Sequence, residues 1–449
     1  MHDDLLRRLR DLGVVKGVRE LKTLPARRRV AIEDLVDGRF HATSHGQCFV
    51  AEEIYPLDHL HGNLPLSSFL ELALQVIAQI ARDDALASLN LRRACFLDTE
   101  TTGLSGGSGT MAFMVGLGYF SEDSFRLQQY FLRDPGDEPA MIESLAELLH
   151  KFEALISFNG RGFDVPIIEN RFILARVPPP TTGMPHLDLL LPARRLWRYR
   201  LPSRALGAIE REVLGVLREQ DDVPGGVIPW LYRDYLRTGD AREMQRVLYH
   251  NAVDILSLVT LAARLCRVYA DPWNEPSLNG AEFYGLARWY EAEGRLVEAE
   301  RAYRTALRPF DEERNQVFSA KPGFGLSSDL RPKALRDLAY FLKRADRRAE
   351  AFAYWQQLAL ETTDDVLAHI ELAKYFEWRV DNLSLAADWT RAALARVERW
   401  PRGERRTVTL VELRHRLARL ERKAGIDSVD PKCYDNKTSE VSSRERLCR

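Results

Sequence analysis

The chain has 449 residues, 45% hydrophobic and 29% charged, with a formal net charge of -1. That length exceeds one ordinary core, at roughly 100–200 residues per domain, and predicts two or three domains; the charge excludes a globally basic nucleic-acid binder and leaves only local basic patches. No apolar run approaches the ~20 residues that cross a bilayer, and the opening MHDDLLRRLRDLG lacks the apolar region of a signal peptide, so a cytoplasmic protein that does not engage membranes is expected.

Residues 1–90 read as an N-terminal extension. Basic amphipathic helices come first, then aromatic and β-branched residues among turn formers over 38–62, which predict short strands. Residues 91–270 form the next unit. ACFLD, TMAFMVGLGYF and FRLQQYFLRD read as three consecutive strands, DEPAMIESLAELLHKF as a helix, ALISFNG as a buried strand and DVPIIENRFIL as a second helix. The segments LPSRALGAIEREVLG and AREMQRVLYHNAVDILSLVTLAARLCRVY add further helices. Strands followed by helices in this order predict an α/β domain with a mixed sheet flanked by helices.

Residues 279–425 change to helix pairs, and 426–449 read as a flexible tail. Leu286, Ala287, Tyr290, Gly294, Ala299, Tyr303 and Ala306 recur as Leu338, Ala339, Leu342, Ala351, Trp355 and Leu358, then as Leu372, Ala373, Phe376, Leu385, Trp389 and Ala392. This spacing resembles a tetratricopeptide repeat, which implies an all-α solenoid. Ala351 to Leu385 keeps a 34-residue offset, with Val380 where a turn glycine would stand in the third copy.

The stretch FLDTETTGLSGG places Asp98 and Glu100 one residue apart after an apolar run. On a regular strand they share a face, and unpaired carboxylates in an apolar setting are costly or take up protons. A hard divalent cation with oxygen ligands answers that need; so does plain solvent exposure. In ISFNGRGFD an apolar strand runs into Asn159 and then, past a glycine turn, into Phe163 and Asp164, where a helix begins. An acid there is also an ordinary helix cap. In LYHNAVDILSL, Asp254 follows His250 by four residues, which puts both on one side of a helix; the same spacing serves a modest surface pair.

These three segments, in this order, resemble the motifs of the DEDD superfamily of 3'–5' exonucleases, whose fold is ribonuclease H-like. With IPWLYRDYLRTGD and the repeats, they look most like its bacterial YprB-like branch, over roughly residues 90–265. The resemblance implies that Asp98, Glu100, Asp164 and Asp254 hold two magnesium or manganese ions, one activating water and one stabilising the leaving 3'-oxygen. The glycines of TTGLSGGSGT either form a plain hairpin or let backbone amides approach a terminal nucleotide, with Thr101, Thr102 and Leu104 placed to contact the 3' end; Asn159, Phe163 and Tyr249 are expected on the substrate side too. One subtype has a histidine five residues before the last acid, where this chain has Tyr249; the other has a tyrosine four before it, where this chain has His250. Helical geometry favours His250 as the group that handles the attacking water.

The function expected is therefore two-metal hydrolysis of single-stranded DNA or RNA from the 3' end, with the repeats recruiting a protein partner. A nucleic-acid-binding scaffold with weak or no turnover, and a structure-selective endonuclease, stand as alternatives. Asp188 reads as a structural fifth acid. PARRLWRYRLPSR interleaves Arg194, Arg195 and Arg198 with Trp197 and Tyr199, which suits a single strand or, equally, a helix packing its rings inward. His45, Cys48, His59 and His61 can be drawn as a zinc site, although their spacing is poor for one.

Overall fold

The computed structural model describes residues 29–103, 109–218, 222–308, 326–363 and 365–425. They divide into two compact units, residues 1–194 with 203–271, and residues 195–202 with 272–449. No helix among the described residues is long and apolar enough to cross a membrane.

The first unit is built on one mixed sheet. Its strands are β1 (Gly38–Thr43), β2 (Gly46–Pro56), β5 (Ala94–Thr101), β6 (Ala112–Phe120), β7 (Ser124–Phe131), β8 (Ala154–Ser157) and β9 (His186–Asp188), in the order β1-β2-β7-β6-β5-β8-β9. A separate pair, β3 (Leu60–His61) and β4 (Leu64–Pro65), lies outside it. β5 pairs antiparallel with β6 and parallel with β8, and β8 runs parallel to β9. The strands at 38–56, expected in an extension, belong to this sheet, because β2 pairs with β7 from Phe49↔Phe131 to Pro56↔Ser124.

β5 lies inside the sheet, between β6 and β8, so ACFL is buried on both faces and reads as a continuous apolar run rather than an alternating one. Helix α1 (Leu74–Ala81) is followed by α2 (Glu138–Leu149) and α3 (Asp164–Leu174). Ile167, Ile168 and Phe172 of α3 join Leu145 of α2 in one core with Cys95 and Leu97 of β5. The opposite face carries Phe96, whose ring meets Phe69, Phe120 and Phe125 at centroid distances of 5.0, 6.1 and 5.8 Å. After α4 (Leu190–Trp197), α5 (Leu206–Ile209) and α6 (Ile228–Thr238), the 29-residue α7 (Arg242–Ala270) packs on this second face.

Glycines on β6 allow α7 to come close. Gly116 pairs with Asp98 and Gly118 with Phe96. A Cβ on Gly116 would stand 2.2 Å from Asn251 Oδ1, and one on Gly118 would stand 2.5 Å from Ile255 Cγ2, both impossible contacts. The GLG pattern in TMAFMVGLGYF therefore sets how near α7, with its acid, approaches the strand bearing the other two acids.

The second unit is all-helical among its described residues: α8 (Gly280–Ala292), α9 (Leu296–Ala306), α10 (Arg331–Arg344), α11 (Arg348–Glu361), α12 (Leu367–Tyr375), α13 (Leu383–Val397) and α14 (Glu404–Ala424), each packing on the next. The small and aromatic positions expected in the first two copies are buried. The third copy corrects the expected register. Leu385 is 40% exposed, whereas Ala386, Thr390 and Ala393 are buried, 35 residues after Ala351, Trp355 and Leu358. The cause is a π-helical turn over Phe376–Val380, which inserts one residue between the two helices of that copy. Leu372 and Ala373, before the turn, still follow Leu338 and Ala339 by 34. The left-handed turn residue is accordingly Asp381, at φ 54, and not Val380; Gly294 (φ 76) and Asp346 (φ 54) hold the equivalent places.

The segment PARRLWRYRLPSR is used for packing, which selects the inward-facing alternative over a platform for a single strand. Trp197 is fully buried and its Nε1 donates to Glu282 Oε1 at 3.0 Å, to which Arg200 Nη1 also donates at 2.6 Å. Tyr199 lies 4.5 Å from the Tyr284 ring. Gly285 admits this segment, since a Cβ there would meet Leu196 O at 2.5 Å.

Candidate active site

Three elements bring the acids together. Asp98 and Glu100 leave β5 on the face covered by α7, which carries His250, Asn251 and Asp254. Thr99 points to the opposite face, where its hydroxyl donates to Asp164 Oδ1 at the start of α3. Asp164 is placed by a tight turn: Asn159 adopts a left-handed φ of 70°, a conformation asparagine tolerates. Asp188 organises that turn, accepting from the backbone amides of Asn159 (2.8 Å), Arg161 (3.2 Å) and Leu190 (3.0 Å), which makes it structural. Phe163 stands as the half-buried residue before the helix.

The carboxyls oppose one another's ionisation. Burial pushes Asp98 well above the usual carboxylate range, and Asp254, Asp164 and Glu100 push it further. Glu100 is raised by burial and then by Asp254 and Asp164, against the pull of Arg218. Burial also raises Asp164, to about 6, and Asp254, the latter held back by Arg218 and His250. Such mutual destabilisation in one place is what a bound cation would relieve.

Three of the four acids nevertheless have another partner. Asn251 Nδ2 donates to Asp98 Oδ2 at 2.8 Å, and Gln129 Nε2 in turn holds Asn251 Oδ1 at 2.8 Å. Asp164 is turned to Thr99, and the Arg218 guanidinium donates to Asp254. Arg218 also makes a two-pronged pair with the buried Glu210, at 2.7 and 2.8 Å, and reaches Asp222 at 3.4 Å. Hence, among the described residues, no three His, Cys, Asp or Glu side chains stand in a metal-holding arrangement. The donor set is one of hard oxygens and suits magnesium or manganese, but a guanidinium now supplies part of the positive charge.

His250 faces two of the acids. Its Nε2 lies 3.9 Å from Glu100 Oε1 and 3.7 Å from Asp254 Oδ2, while Nδ1 lies 2.8 Å from Asp222 Oδ1. The same Nδ1 lies 2.9 Å from Arg218 Nη1, so a carboxylate and a guanidinium together set the orientation of the ring.

A model of the RNase_H superfamily matches residues 95–266, the span that holds all of these groups. A Bacillus subtilis (strain 168) protein known as uncharacterized protein YprB is 31% identical over 382 residues, covering 84% of this chain and 86% of its own. The chain belongs to the YprB family. The family B DNA polymerase of the hyperthermophilic archaeon Pyrobaculum calidifontis aligns at 14% identity and a TM-score of 0.32 over 59% of this chain. That match spans only 36% of the polymerase and is too loose to bear on function.

In this YprB-family chain the remaining expected residues fall as follows. Thr101 is buried and its hydroxyl donates to Gly103 O at 2.7 Å; Thr102 Oγ1 accepts from the Met111 amide at 3.1 Å. Both therefore shape the turn after β5. Leu104 lies outside the described residues. Tyr249 is half-buried beside His250. The zinc candidates do not converge: His45 Nδ1 meets Glu143 at 2.8 Å, His61 Nε2 meets Ser257 at 2.8 Å, His59 stands against Tyr55, and Cys48 is buried. Sequence reading missed Arg218, Asp222, Glu210, Asn251 and Gln129. Asn251 stood inside the quoted YHNAVD motif, one residue after His250. Arg218 carried no signal, because its partners lie at 210 and 254 and only the fold joins them.

Proposed function

We propose that this chain is a metal-dependent nuclease that removes nucleotides from the 3' end of single-stranded DNA or RNA. The observation that carries the reading is that four carboxyls drawn from three elements inside a ribonuclease H-like domain are all raised by burial, with Asp164 and Asp254 raising Asp98 and Glu100 further. Asp98, Glu100, Asp164 and Asp254 would hold two magnesium or manganese ions, which when bound supply an activated water and stabilise the leaving oxygen. His250, in the tautomer whose Nδ1–H donates to Asp222 rather than accepting from Arg218, orients the water and accepts its proton at Nε2 as the new P–O bond forms and the P–O3' bond breaks. Tyr249, Asn159 and Phe163 then line the path of the strand, and Thr101 and Thr102 act by shaping the turn beside it. Helices 279–425 form a tetratricopeptide-like solenoid that recruits a protein partner.

A second reading is a nucleic-acid-binding scaffold with weak turnover, favoured by the Arg218 guanidinium on Asp254. The test is degradation of 5'-labelled single- and double-stranded DNA and RNA in magnesium, manganese or EDTA, by the wild type and Asp98→Ala. A metal-dependent ladder shortening from the 3' end, lost in the variant, supports the exonuclease. Internal cuts lost in the variant replace it with an endonuclease, and binding without cleavage leaves the scaffold.

A further inference from the structure

Helix α6 has two faces with different chemistry. Inward, Ile228 and Tyr232 are buried, and the Tyr232 ring stacks on Phe113 of β6 at 3.9 Å and 5°. Outward, Trp230, Arg233 and Arg237 follow one another at helical spacing. Trp230 is 67% exposed, a large aromatic surface left to solvent on a helix whose other rings are packed. The Arg233 guanidinium sits 5.0 Å from the centre of that indole.

Two contacts tie this helix to the acids. Arg233 Nη2 donates to Thr102 O at 3.4 Å, one residue past the end of β5 and two past Glu100. At the other end, the turn leading into α6 lies against His250: a Cβ on Gly225 would stand 3.9 Å from His250 Nε2. Arg237 is paired with Asp234 at 2.6 Å, whereas Arg233 meets only a backbone carbonyl and a ring, so its charge has no carboxylate partner among the described residues.

We propose that Trp230 and Arg233 form a binding subsite for one unpaired nucleotide of the substrate strand, the indole stacking on the base and the guanidinium meeting its phosphate. The inference rests on the nuclease reading and deepens it by naming the residues that would hold a strand whose bases are free to stack. An aromatic face with an adjoining, uncompensated cation matches a nucleotide in both of its parts, and every base offers a π-face, so the subsite is indifferent to sequence. A duplex end does not offer such a base without unpairing.

The experiment measures binding of 5'-fluorescein single-stranded oligonucleotides by anisotropy in an Asp98→Asn background, with cleavage by the native chain followed in parallel. The oligonucleotides are unmodified or carry one abasic position, stepped from the 3' end. Trp230→Ala is expected to raise Kd by roughly five- to one-hundred-fold, while Trp230→Phe stays within about threefold of the parent. One abasic position should abolish the difference between tryptophan and alanine. Arg233→Gln should make the salt slope of log K shallower by about 0.7, the value for one phosphate on a single strand. Trp230 is exposed, so an unchanged melting temperature serves as the control for folding.

Equal Kd values for Trp230→Ala and its parent, or a loss that is the same with every abasic oligonucleotide, overturn the subsite and leave the nuclease reading standing if the native chain still cleaves. A native chain that neither binds nor cleaves any nucleic acid overturns the nuclease reading, and this inference with it.

Discussion

Asp164 shows at the scale of a single residue what a buried acid costs the fold. Its carboxyl is pushed up to about 6 from 3.8, mainly by burial. A carboxyl raised in the folded state binds its proton more tightly there than in the unfolded chain, so its contribution to stability is fully present below about pH 3.8 and is lost as the pH rises through about 6. In EDTA, Asp164→Asn should therefore be more stable than the wild type at pH 8 by ~1–3 kcal/mol, with the difference closing towards pH 4. Asn retains the oxygen that accepts from Thr99, so the substitution removes charge and little else. Urea unfolding at the two pH values measures this; a variant equally destabilised at both would mean that the ionised acid is not the burden. His250 gives the second residue-scale prediction. With Nδ1 against Asp222 and Nε2 facing Glu100 and Asp254, His250→Ala should lower kcat by roughly 10²–10⁴-fold, whereas Tyr249→Phe should leave most turnover. The opposite pattern would transfer the proton-handling role to Tyr249.

At the scale of elements, the approach of α7 to β6 decides whether the acids meet. Gly116→Ala puts a methyl 2.2 Å from Asn251 Oδ1, so either α7 shifts or Asn251 abandons Asp98. Overpacking of this kind costs about 1–3 kcal/mol, and metal affinity should fall with stability, read by unfolding and by manganese titration; an undiminished affinity would show that Asn251 does not position Asp98. How much of this was legible in the sequence depended on how local the signal was. β5, β6, β7, α3 and α7 follow from apolar period and helix-start residues, and the motif acids stand where those elements place them. The membership of β1 and β2 in the sheet was not legible, because pairing with β7 is a long-range choice among compatible strands. The third repeat slipped by one residue because a π-turn leaves no mark in a pattern of fixed period. Trp197 and Tyr199 left two readings open because composition is the same whether rings face solvent or a neighbouring helix; the buried Glu282 that accepts from Trp197 decides it. Arg218 was invisible for the complementary reason that its meaning lies wholly in partners 8 and 36 residues away.

At the scale of the molecule, two compact units carry two separate electrostatic designs. In the first, burial raises four carboxyls, and the Arg218 guanidinium donates to one of them, Asp254. In the second, the buried Glu377 is already answered by Arg416, Arg419 and Lys423, at 2.9, 2.5 and 3.5 Å. A ligand that binds only the native form stabilises it by RT ln(1 + [L]/Kd), about 2.7 kcal/mol at one hundred times Kd. Manganese should therefore raise the stability of the first unit alone, since Asp98, Glu100, Asp164 and Asp254 all lie within it. Conversely, Glu377→Ala leaves cations without their counter-charge, and breaking a buried pair in this way costs about 3–5 kcal/mol, in the second unit alone. Calorimetry of the full chain in EDTA and in manganese, with and without Glu377→Ala, separates the two effects. The expected result is two transitions, one moved upward by metal and the other downward by the substitution. A single transition that responds to both would show the units unfolding as one cooperative body. A metal response that is absent altogether would mean that the four carboxyls hold no cation, and that Arg218 is their permanent counter-charge rather than an occupant the metal displaces.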